Sequence, residues 1–110
     1  MKKQALFYFL FFLFSAGDSL AQFYQCPTFF IPPNQMPYTT CTFHVHLNPT
    51  PHTFWNQQVR YGFNHVYNAC ESARVFAWQT CQQANFSWYG GRAMCLNQYY
   101  QCQSYIPAPY

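Results

Sequence analysis

Six cysteines, at positions 26, 41, 70, 81, 95 and 102, constrain this chain more than any other feature. An even set in a short chain reads as three disulfides, hence a fold held by cross-links more than by a large apolar interior. Disulfides require an oxidising compartment, and the amino terminus offers a route to one. Lys2-Lys3 precedes the ten-residue apolar run Ala5 to Phe14, and Ser15 to Ala21 supplies small residues where a signal peptidase cuts. Such a run rises only about 15 Å as a helix, half of a bilayer core, so residues 1–21 are expected to be a secretion signal and not a membrane span.

Cleavage after Ala21 leaves one small domain, residues 22–110, of 89 residues. It keeps three arginines (60, 74 and 92), one glutamate (Glu71) and neither lysine nor aspartate. Three cations cannot supply the phosphate contacts that dominate nucleic-acid affinity, which excludes a nucleic-acid partner. One carboxylate cannot build an acidic calcium cage or a paired acid and base. In place of charge stand 20 aromatics and 18 asparagines plus glutamines, against only eight isoleucines, leucines and valines. Aromatic rings must therefore supply much of the packing.

Six of the eight prolines lie between Gln22 and Pro51, which denies that stretch helix and predicts extended structure. Within it Thr40 to Leu47 alternates strictly, with Cys41, Phe43, Val45 and Leu47 on one face and Thr42, His44 and His46 on the other, the pattern of a half-buried strand. Thr50-Pro51 resembles a helix start. At 100° per residue Val59, Phe63, Val66, Cys70, Ala73, Ala77, Cys81 and Ala84 share one stripe, which predicts a helix over about 51–85. Gly62 is a point where it bends or splits. A loop, 86–91, is expected next, then a second helix over about 92–103 with Cys95, Tyr99 and Cys102 on one side, and a stiff Pro- and Tyr-rich tail, 104–110. The fold class these features predict is mainly α, a small disulfide-rich antiparallel helical hairpin with an extended or β amino-terminal segment, 22–50. Phe29-Phe30-Ile31 is expected to cover the helix's outer face near Phe76.

Helix geometry then selects a disulfide pattern. Cys70 and Cys81 would lie about 16 Å apart on one helix and Cys95 and Cys102 about 10 Å apart on the other, beyond the roughly 7 Å that a bridge spans. Antiparallel helices nest Cys81–Cys95 inside Cys70–Cys102, leaving Cys26–Cys41 to clasp the proline-rich segment.

Sites of chemistry are few. His44-Val45-His46 places two imidazoles on one side of a strand, and with His52 or His65 as a third donor this would be a metal site; the commoner reading is polar residues on a solvent face. No cofactor is expected. Asn85-Phe86-Ser87 is a glycosylation sequon in the expected loop. Tyr99, Tyr100, Tyr105 and Tyr110 crowd the carboxyl end as candidates for contacts or oxidative cross-links.

A nearly uncharged surface rich in amides and phenols has little repulsion to keep molecules apart and many hydrogen-bonding and stacking groups. In composition alone the chain resembles matrix proteins of invertebrate hard tissues. The expected function is that of a secreted, non-enzymatic structural or interaction protein of an extracellular matrix such as a shell, cuticle or egg coat. Its partners would be other matrix proteins, itself or polysaccharide. The alternatives are a diffusible effector (toxin-like, antimicrobial or signalling) and, behind it, a metal-binding protein built on the His-x-His strand.

Overall fold

The computed structural model describes residues 24–109; the expected secretion signal, residues 1–21, lies outside them, as does Tyr110. In chain order the elements are β1 (Thr28–Ile31), β2 (Tyr38–Asn48), β3 (Thr53–Tyr61), α1 (His65–Tyr89) and β4 (Met94–Pro107). The strands form one sheet in the order β1-β4-β2-β3. β2 pairs antiparallel with β3 and with β4, while β1 runs parallel to β4. α1, the one helix among the described residues, covers one face of the sheet.

This architecture corrects the helical hairpin. Residues 53–61, placed in the first helix by periodicity, are strand β3, and residues 94–107, placed in the second helix and the tail, are strand β4. Thr50-Pro51 belongs to the β2–β3 turn, where the Leu47 amide donates to the His52 carbonyl at 3.0 Å. Gly62 marks the boundary of strand and helix. It sits at φ +86°, a conformation that L side chains rarely adopt, and its amide donates to the Pro37 carbonyl at 2.9 Å. From there the stripe holds: Cys70, Ala73, Ala77, Cys81 and Ala84 are buried in α1, joined by Ala69, which lay outside the expected stripe, while Val66 is half-buried. Val59 and Phe63 do not join it, and Phe63 is 95% exposed.

Small side chains along that stripe let the helix backbone lie close over the buried row of β2, namely Thr39, Cys41, Phe43, Val45 and Leu47. The apolar core is thin, and the bridges supplement it. Cys26–Cys102 ties the segment before β1 to β4, Cys41–Cys70 joins the centre of the sheet to the helix, and Cys81–Cys95 joins the helix to the start of β4. The expected pairs Cys26–Cys41 and Cys70–Cys102 are thereby replaced. The cause is the strand conformation of β4, which sets Cys102 directly opposite Cys41 in the sheet and gathers the sulfurs of Cys26, Cys70 and Cys102 within 4.8 Å of one another.

One extra residue explains why β4 looked helical. Tyr99 pairs with His44 and Asn97 with Val45, so Gln98 has no residue opposite it, a β-bulge. In a regular strand Cys95 and Cys102, seven residues apart, would face opposite sides. The bulge shifts the alternation by one and turns both inward, where both are buried. A spacing of seven therefore mimics two helical turns.

Phe29–Ile31 also lies elsewhere than expected. It is β1, at the sheet edge, with Phe29 opposite Tyr105. Phe76 and Phe86 on the helix's outer side stay exposed, while Trp88, at the end of the inner stripe, packs its ring against His52 and Phe54.

Candidate binding surface

The helix packs on only one side of the sheet, and the other side is where side-chain chemistry accumulates. Register alone assembles it. Phe29, Tyr105, Tyr38 and Tyr61 stand side by side across all four strands. Their rings form a continuous row with successive centroids 5.7, 4.6 and 5.1 Å apart, the first two pairs stacked and the third tilted. Further along the strands a second row contains Tyr99, His44 and Trp55. The His44 ring stacks on Tyr99 at 4.1 Å with 14° between planes. Tyr38 and His44 are six residues apart on β2, hence the rows are separated by about 20 Å.

Between the rows run Gln103-Thr40-Val59 and Gln101-Thr42-Gln57, read across β4, β2 and β3. Thr40, Thr42, Gln57, Gln101 and Gln103 line a trough of about 430 Å³. Hydroxyls and carboxamides there offer donors and acceptors without charge. β3 contributes in an unusual way, because beyond Phe54 it turns the polar Asn56, Gln58 and Arg60 toward the helix side and sets Trp55, Val59 and Tyr61, with Gln57, outward. Trp55 is 63% exposed and Tyr61 62%, whereas Asn56, Gln58 and Arg60 are half-buried on the helix-facing side. Those three satisfy one another: the Gln58 amide donates to Asn56 at 2.6 Å and Arg60 donates to Gln58 at 2.9 Å.

No Arg, Lys, Asp or Glu side chain lies on the open face among the described residues. Arg60 sits opposite the buried Thr39, Glu71 and Arg74 are on α1, and Arg92 is in the α1–β4 turn.

A second concavity, of about 520 Å³, opens on the helix side and is lined by Tyr24, Phe43, Tyr67, Glu71, Arg74, Asn97 and Tyr100. Its charged groups are already engaged with each other and with Tyr24. The Tyr24 hydroxyl donates to Oε2 of Glu71 at 2.7 Å, while the Arg74 guanidinium donates to Oε1 through Nε at 3.1 Å and through Nη2. The Arg74 hydrogen bonds hold the Glu71 carboxyl below its usual range, and burial, then Glu71 itself, pushes the Tyr24 phenol up. Both groups thus keep the protonation state that their hydrogen bonds need. This is a brace between the amino-terminal segment and the helix.

The four histidines are not brought together. His44 and His46 are on the open face, where Nδ1 of His46 lies 3.2 Å from the Thr53 hydroxyl. His52 packs its ring against Trp88 at 5.0 Å, and His65 begins α1, with Nδ1 2.6 Å from the Thr39 hydroxyl. Among the described residues the one ligand-sized cluster is Cys26, Cys70 and Cys102, all in disulfides.

Asn85 is helical and not in a loop. Its Nδ2 donates to the Ala93 carbonyl at 2.7 Å and its Oδ1 accepts from the Ala93 amide at 3.0 Å, so the sequon's amide also fixes the α1–β4 turn. Of the carboxyl-terminal tyrosines, Tyr99 and Tyr105 are on the open face, while Tyr100 lines the helix-side cavity and accepts a hydrogen bond from the Gln25 amide at 3.1 Å. Phe29, Tyr38, Trp55 and Tyr61 escaped the sequence analysis. The available signal was the period-two alternation of Gln58 to Tyr61, hidden because its polar positions, Gln58 and Arg60, are the ones facing the helix.

Comparison of the chain with protein-family models, with curated proteins and with solved structures finds no match. Among the described residues no helix is long and apolar enough to cross a membrane, which says nothing of β-barrels.

Proposed function

We propose that this chain is a secreted, non-enzymatic structural or interaction protein of an extracellular matrix, and that it makes its contacts through the open face of the sheet. The observation that carries this is a charge-free sheet face bearing two rows of rings with nothing packed over them among the described residues. Water-exposed aromatic patches of this breadth mark interaction surfaces. Three disulfides suit an extracellular setting. For the absence of catalysis the support is chemical: the Glu71 carboxylate is bound up with Arg74 and Tyr24, the six cysteines are bridged, and the histidines lie apart.

Fractionation of the producing tissue with an antibody to the mature chain tests the role. Recovery in the insoluble extracellular fraction, released by denaturant with reductant, is the expected result. Recovery wholly in free fluid, with saturable binding to a cell-surface receptor, would overturn it in favour of a diffusible effector.

A further inference from the structure

We infer that the open face is a binding site for an uncharged, extended, β-linked polysaccharide chain. The inference rests on the matrix role only for where such a polymer is met; the chemistry comes from the face itself.

Charge narrows the occupant first. Stacked rings on an open sheet also suit nucleic acid, but single-strand sites pair their stacking platforms with a positively charged groove, and this face has no Arg or Lys among the described residues. With no Asp or Glu of its own among the described residues, it likewise has no carboxylate to pair with a polycation. An uncharged partner is the electrostatic match.

Pattern narrows it further. A second copy of the sheet laid face to face would bring Gln57, Gln101 and Gln103 and the two threonines against one another, whereas sheet-on-sheet packing works through interdigitating apolar inner faces. A flat pyranose presents what each zone lacks. Its C–H groups pack against aromatic side chains, on the exposed Trp55 indole and along the outward edges of the stacked Tyr105, Tyr38 and Tyr99 rings, and its equatorial hydroxyls both donate and accept at the rim, as carboxamides and threonine hydroxyls require. The two ring rows, about 20 Å apart, then set the length. A disaccharide reaches one row only. A chain several rings long, laid along β2, crosses the ring edges of Tyr38 and Tyr105 at one end and meets Trp55 and Tyr99 at the other, with its middle in the glutamine-threonine trough.

The experiment uses the mature, fully oxidised chain and six probes: insoluble cellulose, insoluble chitin, and the disaccharide and hexasaccharide of each in titration calorimetry. The expected outcome is depletion of the protein by at least one polymer and binding of its hexasaccharide at least tenfold tighter than of its disaccharide. Trp55→Ala and Tyr105→Ala, one from each row, should each weaken hexasaccharide binding roughly tenfold, as loss of a buried interface aromatic does. Phe86→Ala on the helix's outer side should leave it unchanged, and circular dichroism verifies that each variant folds. Lack of binding to both polymers, equal affinity for short and long sugars, or indifference to both ring variants would overturn the inference. So would a dimer in sedimentation that both variants dissolve, since the occupant would then be a second copy. Protein found in the insoluble matrix yet blind to both polymers would sink this inference alone; polymer binding by a protein found only in free fluid would sink the matrix role alone.

Discussion

Asn85 is where the sequon and the fold make opposite demands, and replacing it separates them. Its side chain makes two hydrogen bonds to the main chain of Ala93, at 2.7 and 3.0 Å, across the turn that delivers Cys95 to Cys81. Each such bond contributes about 1 kcal/mol net, so Asn85→Ala should cost about 2 kcal/mol. For a domain of this size that is a fall in Tm of roughly 8 to 16 °C. Ser87→Ala is the matched control, because it destroys the sequon while leaving the amide in place, and Ser87 is exposed. Thermal unfolding followed by circular dichroism, with all bridges intact, should show a large drop for Asn85→Ala and a shift within about 2 °C for Ser87→Ala, the small effect usual for a surface substitution. Equal losses from the two would mean that an attached sugar and not the amide is responsible. A loss below about 0.5 kcal/mol for Asn85→Ala would refute the turn-locking role.

Three further outcomes follow from the packing. Replacing both Cys41 and Cys70 by alanine opens a link across 29 residues, worth about 3.5 kcal/mol in the chain-entropy model, and differential scanning calorimetry should record a fall in Tm of roughly 15 to 30 °C. Burial holds the His65 imidazole below its ordinary value of 6.5, so the unfolded chain takes up a proton first as pH falls. Its contribution is therefore complete above pH 6.5 and is lost as pH falls toward the lowered folded value; Tm measured from pH 7.5 to 5 should decline, and His65→Asn should flatten the part of that decline that His65 causes. Deleting Gln98 removes the bulge residue yet leaves Cys95 and Cys102 on the helix-facing side, so the variant should fold with all three bridges, verified by intact mass and peptide mapping, whereas inserting a residue beside Gln98 should lower the yield of the oxidised form.

Much of the chain's local structure was legible. The alternation of Thr40 to Leu47 belongs to β2, and the alanine and cysteine stripe from Cys70 to Ala84 belongs to α1, because each period had one partner surface and the pattern recorded it. β3 was not legible, since after Phe54 its inward positions are the polar Asn56, Gln58 and Arg60, which satisfy one another along the strand. β4 was not legible either, because a single bulge converts a period of two into a spacing of seven.

By itself the sequence determined six cysteines, a nearly charge-free surface, one amphipathic strand and one small-residue helical stripe, all properties that a residue carries with it or shares with near neighbours. Tertiary structure decided which cysteines meet, which segments become strands, and that residues as far apart as Phe29, Tyr38, Tyr61 and Tyr105 stand in one row. Strand order and register are long-range choices made by the whole sheet at once, and a pattern read along the chain has no term for what lies beside it.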